Sequence, residues 1–109
     1  MINRFQRCIG IRLFRLAGWQ LEVWLCPAGE VIPSHSHSHF SSRIIHLFGA
    51  TEWTMGSKTK SLGILNIGWC RPVPAGVNHS AVTKTFSIFA NLERWATSPT
   101  SASVDFVRA

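Results

Sequence analysis

A chain of 109 residues, 46% hydrophobic and 15% charged, has room for one modest core, is too apolar for general disorder, and holds no apolar run near the roughly 18 residues of a membrane span. Its net charge is +6, from eight Arg and three Lys against five acids. The cations are scattered and no nucleic-acid-binding motif accompanies them, so a soluble basic surface is expected and nucleic acid is not the expected partner. The three cysteines, Cys8, Cys26 and Cys70, lack a C-x-x-C spacing. They read as free thiols in a reducing compartment, by default the cytoplasm, and not as a disulfide framework.

The first segment, Met1 to Leu16, has no continuous apolar core of the secretory kind. It carries Arg4, Arg7, Arg12 and Arg15 before the first acid, Glu22. That is loosely transit-peptide-like, but Ile9 to Leu13 also reads as a strand edged with arginine, and the strand is preferred. Helical periodicity is poor throughout. Short runs rich in β-branched and aromatic residues recur instead, punctuated by Gly, Pro, Ser or Asn, which is the pattern of an all-β sandwich or barrel.

The runs are Ile9 to Leu16, Trp19 to Cys26, Val31 to Phe40, Arg43 to Phe48 and Thr51 to Met55, the last followed by a hairpin tip at Gly56-Ser57-Lys58. Ile64 to Ile67 and Trp69 to Val73 come next, and Phe86 to Leu92, extending toward Trp95, is the last strong strand. The expected domain is residues 1–96, with 97–109 a mobile Ser/Thr-rich tail whose Val104 to Val107 docks back as an edge strand or a partner contact. No internal repeat is evident.

The run Pro33-Ser34-His35-Ser36-His37-Ser38-His39 carries chemistry. In an extended chain, side chains two apart share a face at about 6.5–7 Å along the strand. An imidazole nitrogen sits roughly 2.0–2.1 Å from a bound Zn²⁺. Two same-face histidines therefore reach one ion between them while the serines face away. A solvated His/Ser loop is the competing reading, and the run alone does not decide.

Spacing decides. From Gly29 there are five residues to His35, one to His37, four to Ser42 and six to Gly49; from Gly68 there are five to Pro74, then Ala75-Gly76, two to His79 and three to Thr83. This pair of spacings resembles the two signature motifs of the cupin superfamily: Gly, five, His-x-His, three or four, Glu, six, Gly; then Gly, five, Pro-x-Gly, two, His, three, Asn. Eight of the ten signature positions agree, over Gly29 to Thr83. The resemblance implies an all-β, cupin-type jelly-roll barrel of two antiparallel sheets, with a divalent transition metal (Fe, Ni, Mn, Cu or Zn) in its mouth.

Carried over, the ligands are His35, His37 and His79. Ser42 stands at the glutamate ligand and Thr83 at the asparagine, so a three-histidine centre with open positions is expected. Pro74 and Gly76 make a tight turn that swings His79 over the interior. A second register pairs His37 with His39 but breaks the five-residue gap after Gly29; His39 is also a neighbouring substitute for the lost carboxylate. Strand parity puts Ser42, Ile44, His46 and Phe48 on one face, with His46 about 13 Å along from Ser42, too far to replace the glutamate. His46 lines the cavity or is a hydrogen-bonded barrel histidine.

The aromatics, Trp19, Trp24, Trp53, Trp69 and Trp95 among them, read mainly as core, some lining an apolar pocket. Cys26 and Cys70 read as buried structural residues; Arg43 and Arg71 read as solvated surface residues, with binding of an anionic substrate near the mouth as the alternative. A three-histidine centre resembles that of the cupin thiol dioxygenases, which makes an oxygenase acting on a small molecule the first functional reading. No second carboxylate accompanies the motifs beyond Glu30 and Glu52, so proton transfer falls to His39 or His46. The alternative is a non-enzymatic, metal-stabilised cupin, a binding or assembly module of structural or viral kind. A homodimer without a membrane partner is expected, because small barrels hide edges and apolar faces by pairing.

Overall fold

Alternation of buried and exposed side chains along β-branched and aromatic runs gives ten strands in the computed structural model, which describes residues 2–56, 58–62 and 73–109. They are β1 (Ile2–Phe5), β2 (Cys8–Leu16), β3 (Trp19–Cys26), β4 (Val31–Ser36), β5 (Phe40–Phe48), β6 (Thr51–Met55), β7 (Lys58–Leu62), β8 (His79–Thr83), β9 (Ser87–Trp95) and β10 (Val107–Arg108). All pairings are antiparallel. One sheet has the order β1-β2-β3-β9-β5 and the other β10-β4-β8-β6-β7. This is the expected jelly-roll barrel of two sheets. The runs Ile64 to Ile67 and Trp69 to Arg71, with Gly68, lie outside the described residues.

Sequential neighbours β4 and β5 belong to different sheets. The chain therefore crosses the barrel mouth at residues 37–39, which is where the histidine run ends. Between the sheets lies a core that includes Trp24, Ile32, Ile44, Trp53, Ala81 and Phe89. Gly10 is required for it: a Cβ there would meet the Trp24 ring at 2.6 Å. The indole lies against the β2 backbone because nothing projects from that position.

The alternation in β3 is inverted relative to simple polarity. Gln20, Glu22, Trp24 and Cys26 are buried, while Leu21, Val23 and Leu25 face outward. The interior at this end is a hydrogen-bonded polar belt. Glu22 accepts from Asn3 Nδ2 at 2.7 Å and from the Ala102 N–H at 3.1 Å, and Glu93 accepts from Gln20 Nε2 at 3.1 Å and Trp95 Nε1 at 2.9 Å. Burial first, and then the neighbouring Glu22, push the Glu93 carboxyl up to about 9, so it is protonated at neutral pH.

The cysteines correct the sequence reading. Cys8 and Cys26 are not free thiols: they form a disulfide, with Cα atoms 4.4 Å apart. They stand one step beyond the Ile9–Leu25 pair on adjacent antiparallel strands, and both are buried. Directly opposed residues of a close antiparallel pair sit at about that separation. Strand register brings them together, and a sequence spacing of 18 residues carries no sign of it.

The segment after Trp95 also differs from a mobile tail. Ser101, Ala102 and Asp105 are buried, Gln20 Nε2 donates to the Thr100 carbonyl at 2.5 Å, and Ala102 packs with Phe40 and Trp95. Val107 pairs with Ser36 and Arg108 with His35, so its end docks as an edge strand.

Candidate metal centre

His35 lies on β4 and His79 opens β8, and the two are directly paired across the strands. The register slips between Ile32 and His35, where Pro33 has no N–H to give to the ladder. His37, two residues on, returns to the same face. The Pro74–Gly76 turn supports this arrangement. Gly76 adopts φ 80°, a conformation open to glycine, and its N–H donates to the His37 carbonyl at 2.8 Å. The turn is thus bonded to the strand end whose side chain its own histidine faces.

The three rings converge. Centroid separations are 4.1 Å for His35–His79, 4.9 Å for His35–His37 and 5.2 Å for His37–His79. The three side chains each offer a nitrogen within 4.8 Å of the others, and all three are buried. Two nitrogens about 2.1 Å from one ion are at most about 4.2 Å apart. Three nitrogens around one tetrahedral ion are about 3.4 Å apart, so the rings would draw together by about an ångström to hold it.

Each ring is held by its Nδ1. That of His35 lies 2.7 Å from the Pro33 carbonyl, that of His79 lies 3.1 Å from the Val77 carbonyl, and that of His37 contacts the Asp105 carbonyl. A carbonyl only accepts, so each Nδ1 carries the proton and donates, which leaves Nε2 with its lone pair. Burial keeps the rings uncharged. Desolvation, then the neighbouring His79, lowers His35 to about 3; desolvation lowers His37 to about 4 and is the leading cause of the lowering at His79. Three neutral imidazoles, oriented by backbone carbonyls and facing one point, are a donor set suited to a divalent first-row ion.

These side chains line one cavity of about 60 Å³ that opens to solvent at its mouth. Ser42 lines it too, so the position of the missing carboxylate is at the site while the carboxylate is not. The rest of the lining is largely apolar and includes Trp24, Ile44, Trp53, Phe89 and Phe106. Ser42 is fixed through its backbone: its N–H donates to the Val73 carbonyl at 2.9 Å, and the Val73 N–H donates back to the Ser42 carbonyl.

The other expected residues are not in the group. His39 has a side chain 54% exposed and turned to Asp105, with Nδ1 3.0 Å from Oδ1. His46 is buried with Nε2 3.1 Å from Thr51 Oγ1, a barrel histidine that does not line the cavity. Thr83 is structural: its hydroxyl donates to the Pro27 carbonyl at 2.6 Å and accepts from the Glu30 N–H at 2.8 Å. Glu30 is paired with Arg7 at 2.9 Å. Arg43 alternates with Ser42 and Ile44 and faces outward, and Arg71 lies outside the described residues. Sequence reasoning missed Asp105 and Phe106. No motif marks them, and only the docking of the last residues on β4 brings them to the histidines.

Proteins of known structure share this fold at low sequence identity. KdgF from a Halomonas species has a TM-score of 0.77, with 16% identity over 95% of this chain and 92% of that one. The cupin domain of Cnp3 from Schizosaccharomyces pombe has a TM-score of 0.71, with 21% identity over 85% of this chain and 68% of that one. A variant of salicylate 1,2-dioxygenase from Pseudoaminobacter salicylatoxidans, solved in complex with gentisate, has a TM-score of 0.69, with 16% identity over 80% of this chain and 25% of that one. No protein-family model and no curated protein matches the sequence. The likeness is one of fold: the chain has the cupin fold.

Proposed function

We propose that this cupin-fold chain holds one divalent transition metal through His35, His37 and His79 and uses it to bind or act on a small molecule. The observation that carries the reading is the set of three buried, neutral imidazoles, each with Nδ1 on a backbone carbonyl and Nε2 left for a ligand bond. Iron, nickel, manganese, copper and zinc all accept such a set. A bound ion would supply a Lewis acid and a template with open positions for substrate. The chain itself supplies orientation, through the three carbonyls, and a largely dry apolar surround, through Trp24, Trp53, Phe89 and Phe106.

The finer reading is an oxygenase of the thiol-dioxygenase type. It is supported by the absence of a carboxylate at Ser42 and by a dioxygenase among the proteins of like fold. Oxygen uptake in the presence of small thiols tests it, with the His79→Ala variant as the reference: uptake that requires His79 supports the reading, and equal uptake by both proteins sinks it.

One observation favours the non-enzymatic alternative. Neither Glu30, tied to Arg7, nor Glu52 lines the cavity, so the site has no carboxylate to move a proton. Metal present without turnover of any candidate substrate would select that reading.

A homodimer belongs to the same proposal. Ile2, Ile11, Val23 and Ile45 form one apolar row across the first sheet, with the small, buried Ala90 completing it between Val23 and Ile45. At about 4.8 Å per strand the row is roughly 20 Å wide, and with the rows beside it the face approaches the size of one side of a stable interface. A second copy of the chain offers the matching apolar face.

A further inference from the structure

One wall of the histidine cavity is not made by the barrel. Ala102, Ser103 and Phe106 of the C-terminal segment close it. The Phe106 ring stacks on His35 with centroids 4.1 Å apart and planes at 19°, lies 4.8 Å from the Phe5 ring and edge-on to His37 at 6.2 Å, and carries the Arg108 guanidinium over it at 5.9 Å. The next residues pair with β4, Val107 to Ser36 and Arg108 to His35, and the Ala109 N–H donates to the Ser34 carbonyl at 2.9 Å.

Asp105 anchors this wall. Its carboxylate receives the Ser38 N–H at 3.3 Å, the Ser38 hydroxyl at 2.8 Å, the His39 N–H at 2.8 Å and His39 Nδ1 at 3.0 Å. All four donors come from the two residues that follow His37 in the mouth crossing. Its own carbonyl accepts from His37 Nδ1.

The two ends of the segment are held very differently. Ala102 is buried between Phe40 and Trp95 and bonded to Glu22. Beyond it, Val104 is 74% exposed and Val107 50% exposed, and the ladder to β4 is two residues long. Segments with few buried apolar contacts and short ladders are the first to open. The anchored Ala102 is the natural pivot.

We infer that residues 103–109 are a lid on the histidine cavity, that Asp105 is its catch on Ser38 and His39, and that Phe106 is its plug, standing on His35 where the planar apolar part of a bound molecule would lie. The inference rests on the cavity being a small-molecule site. A ligand enters when the lid lifts, and a flat apolar group replaces Phe106 against His35. His39, which lies outside the three-histidine group, thereby gains a role as half of the catch.

Acylation of imidazole by diethyl pyrocarbonate tests the lid without any metal or substrate. In chelator-treated full-length protein, peptide mass spectrometry reads the rate at each histidine. When the lid opens and closes quickly, the rates at His35 and His79 scale with the open population. Asp105→Ala is expected to raise both at least tenfold while His46, buried elsewhere in the barrel, keeps its wild-type rate. Equal rates at His35 and His79 in wild type and variant overturn the lid. If His46 rises with them, the variant has lost its fold, and the double variant Ser38→Ala, His39→Ala, altered only at exposed side chains, decides by the same two outcomes. Metal analysis of the same preparations, before chelation and after adding metal back, separates the two ideas. A chain that never takes up metal sinks the metal reading and leaves the acylation rates to judge the lid. Full metal content with unchanged acylation sinks the lid alone.

Discussion

At Ser42 the site departs from the pattern its spacing resembles, and the departure is testable. Ser42 lines the cavity with the three histidines, so Ser42→Glu would place a carboxylate among them. Without metal, a buried unpaired carboxylate costs several kcal/mol or shifts its pKa to escape that cost. With metal it becomes a fourth ligand. The variant is expected to melt below wild type in chelator and to lose metal to chelator at least tenfold more slowly. Equal rates of metal loss would place Ser42 away from the ion. Titration of the histidines gives a second expectation. Their folded-state values lie below the ordinary 6.5, about 3 for His35 and about 4 for His37, so the unfolded chain binds more protons between those values and 6.5. The stability from burying them neutral is complete above pH 6.5 and is lost as pH falls toward 4 and 3. Glu93 runs the other way. Its value of about 9 lies above the ordinary 4.5, so its contribution is complete below pH 4.5 and is lost as pH rises through 9. Chemical denaturation across pH is expected to show both limbs, and Glu93→Gln to flatten the alkaline one alone. An alkaline limb unchanged in Glu93→Gln would contradict the assignment.

At the scale of elements, what the sequence made legible was the strands that alternate strongly and the turns with Gly or Pro. Trp19–Cys26 forms as read, and the histidine strand, the Pro74–Gly76 turn and His79 meet as the spacing implies. The shortfalls share a cause: they depend on which strand lies beside which. The Cys8–Cys26 bond follows from the β2–β3 register, and the buried Glu22 and Glu93 are tolerated because the Ala102 N–H reaches Glu22 and Gln20 lies across from Glu93, with Trp95 on the same strand as Glu93 adding its indole N–H. The docking of residues 103–109 needs β4 as an edge. Local pattern carries none of this. The disulfide has its own test. Alkylation of the unfolded, unreduced protein is expected to modify one cysteine, Cys70, and alkylation after reduction to modify all three. Three modified before reduction would contradict the bond. By loop-closure entropy, a bridge closing a loop of this length is worth about 3 kcal/mol, so Tm should fall by several degrees on reduction.

For the whole molecule, charge and apolar surface combine unusually. Glu22, Glu30, Glu93 and Asp105 are buried, so of the five acids only Glu52 is left toward the surface, and that surface is more cationic than the net charge suggests. The apolar face of the first sheet carries Arg43 and Arg94 beside it, with Arg94 over the Trp19 ring at 5.1 Å. Two copies pairing by that face would bring like charges together at its rim, and salt would screen them. Sedimentation is therefore expected to give about twice the 12.2 kDa chain mass, with the dimer stronger at higher salt, and Val23→Lys is expected to give the monomer with an unchanged far-ultraviolet spectrum. A wild-type monomer at tens of micromolar would remove the dimer, and a dimer indifferent to Val23→Lys would move it to another surface.

The central claim is that His35, His37 and His79 hold one metal ion. Elemental analysis of freshly purified wild type beside His79→Ala tests it most directly. The account predicts close to one first-row transition metal per chain in wild type and essentially none in the variant. A wild-type protein that is empty and stays empty with added Fe, Ni, Mn, Cu or Zn, or a variant that keeps its metal, would contradict it.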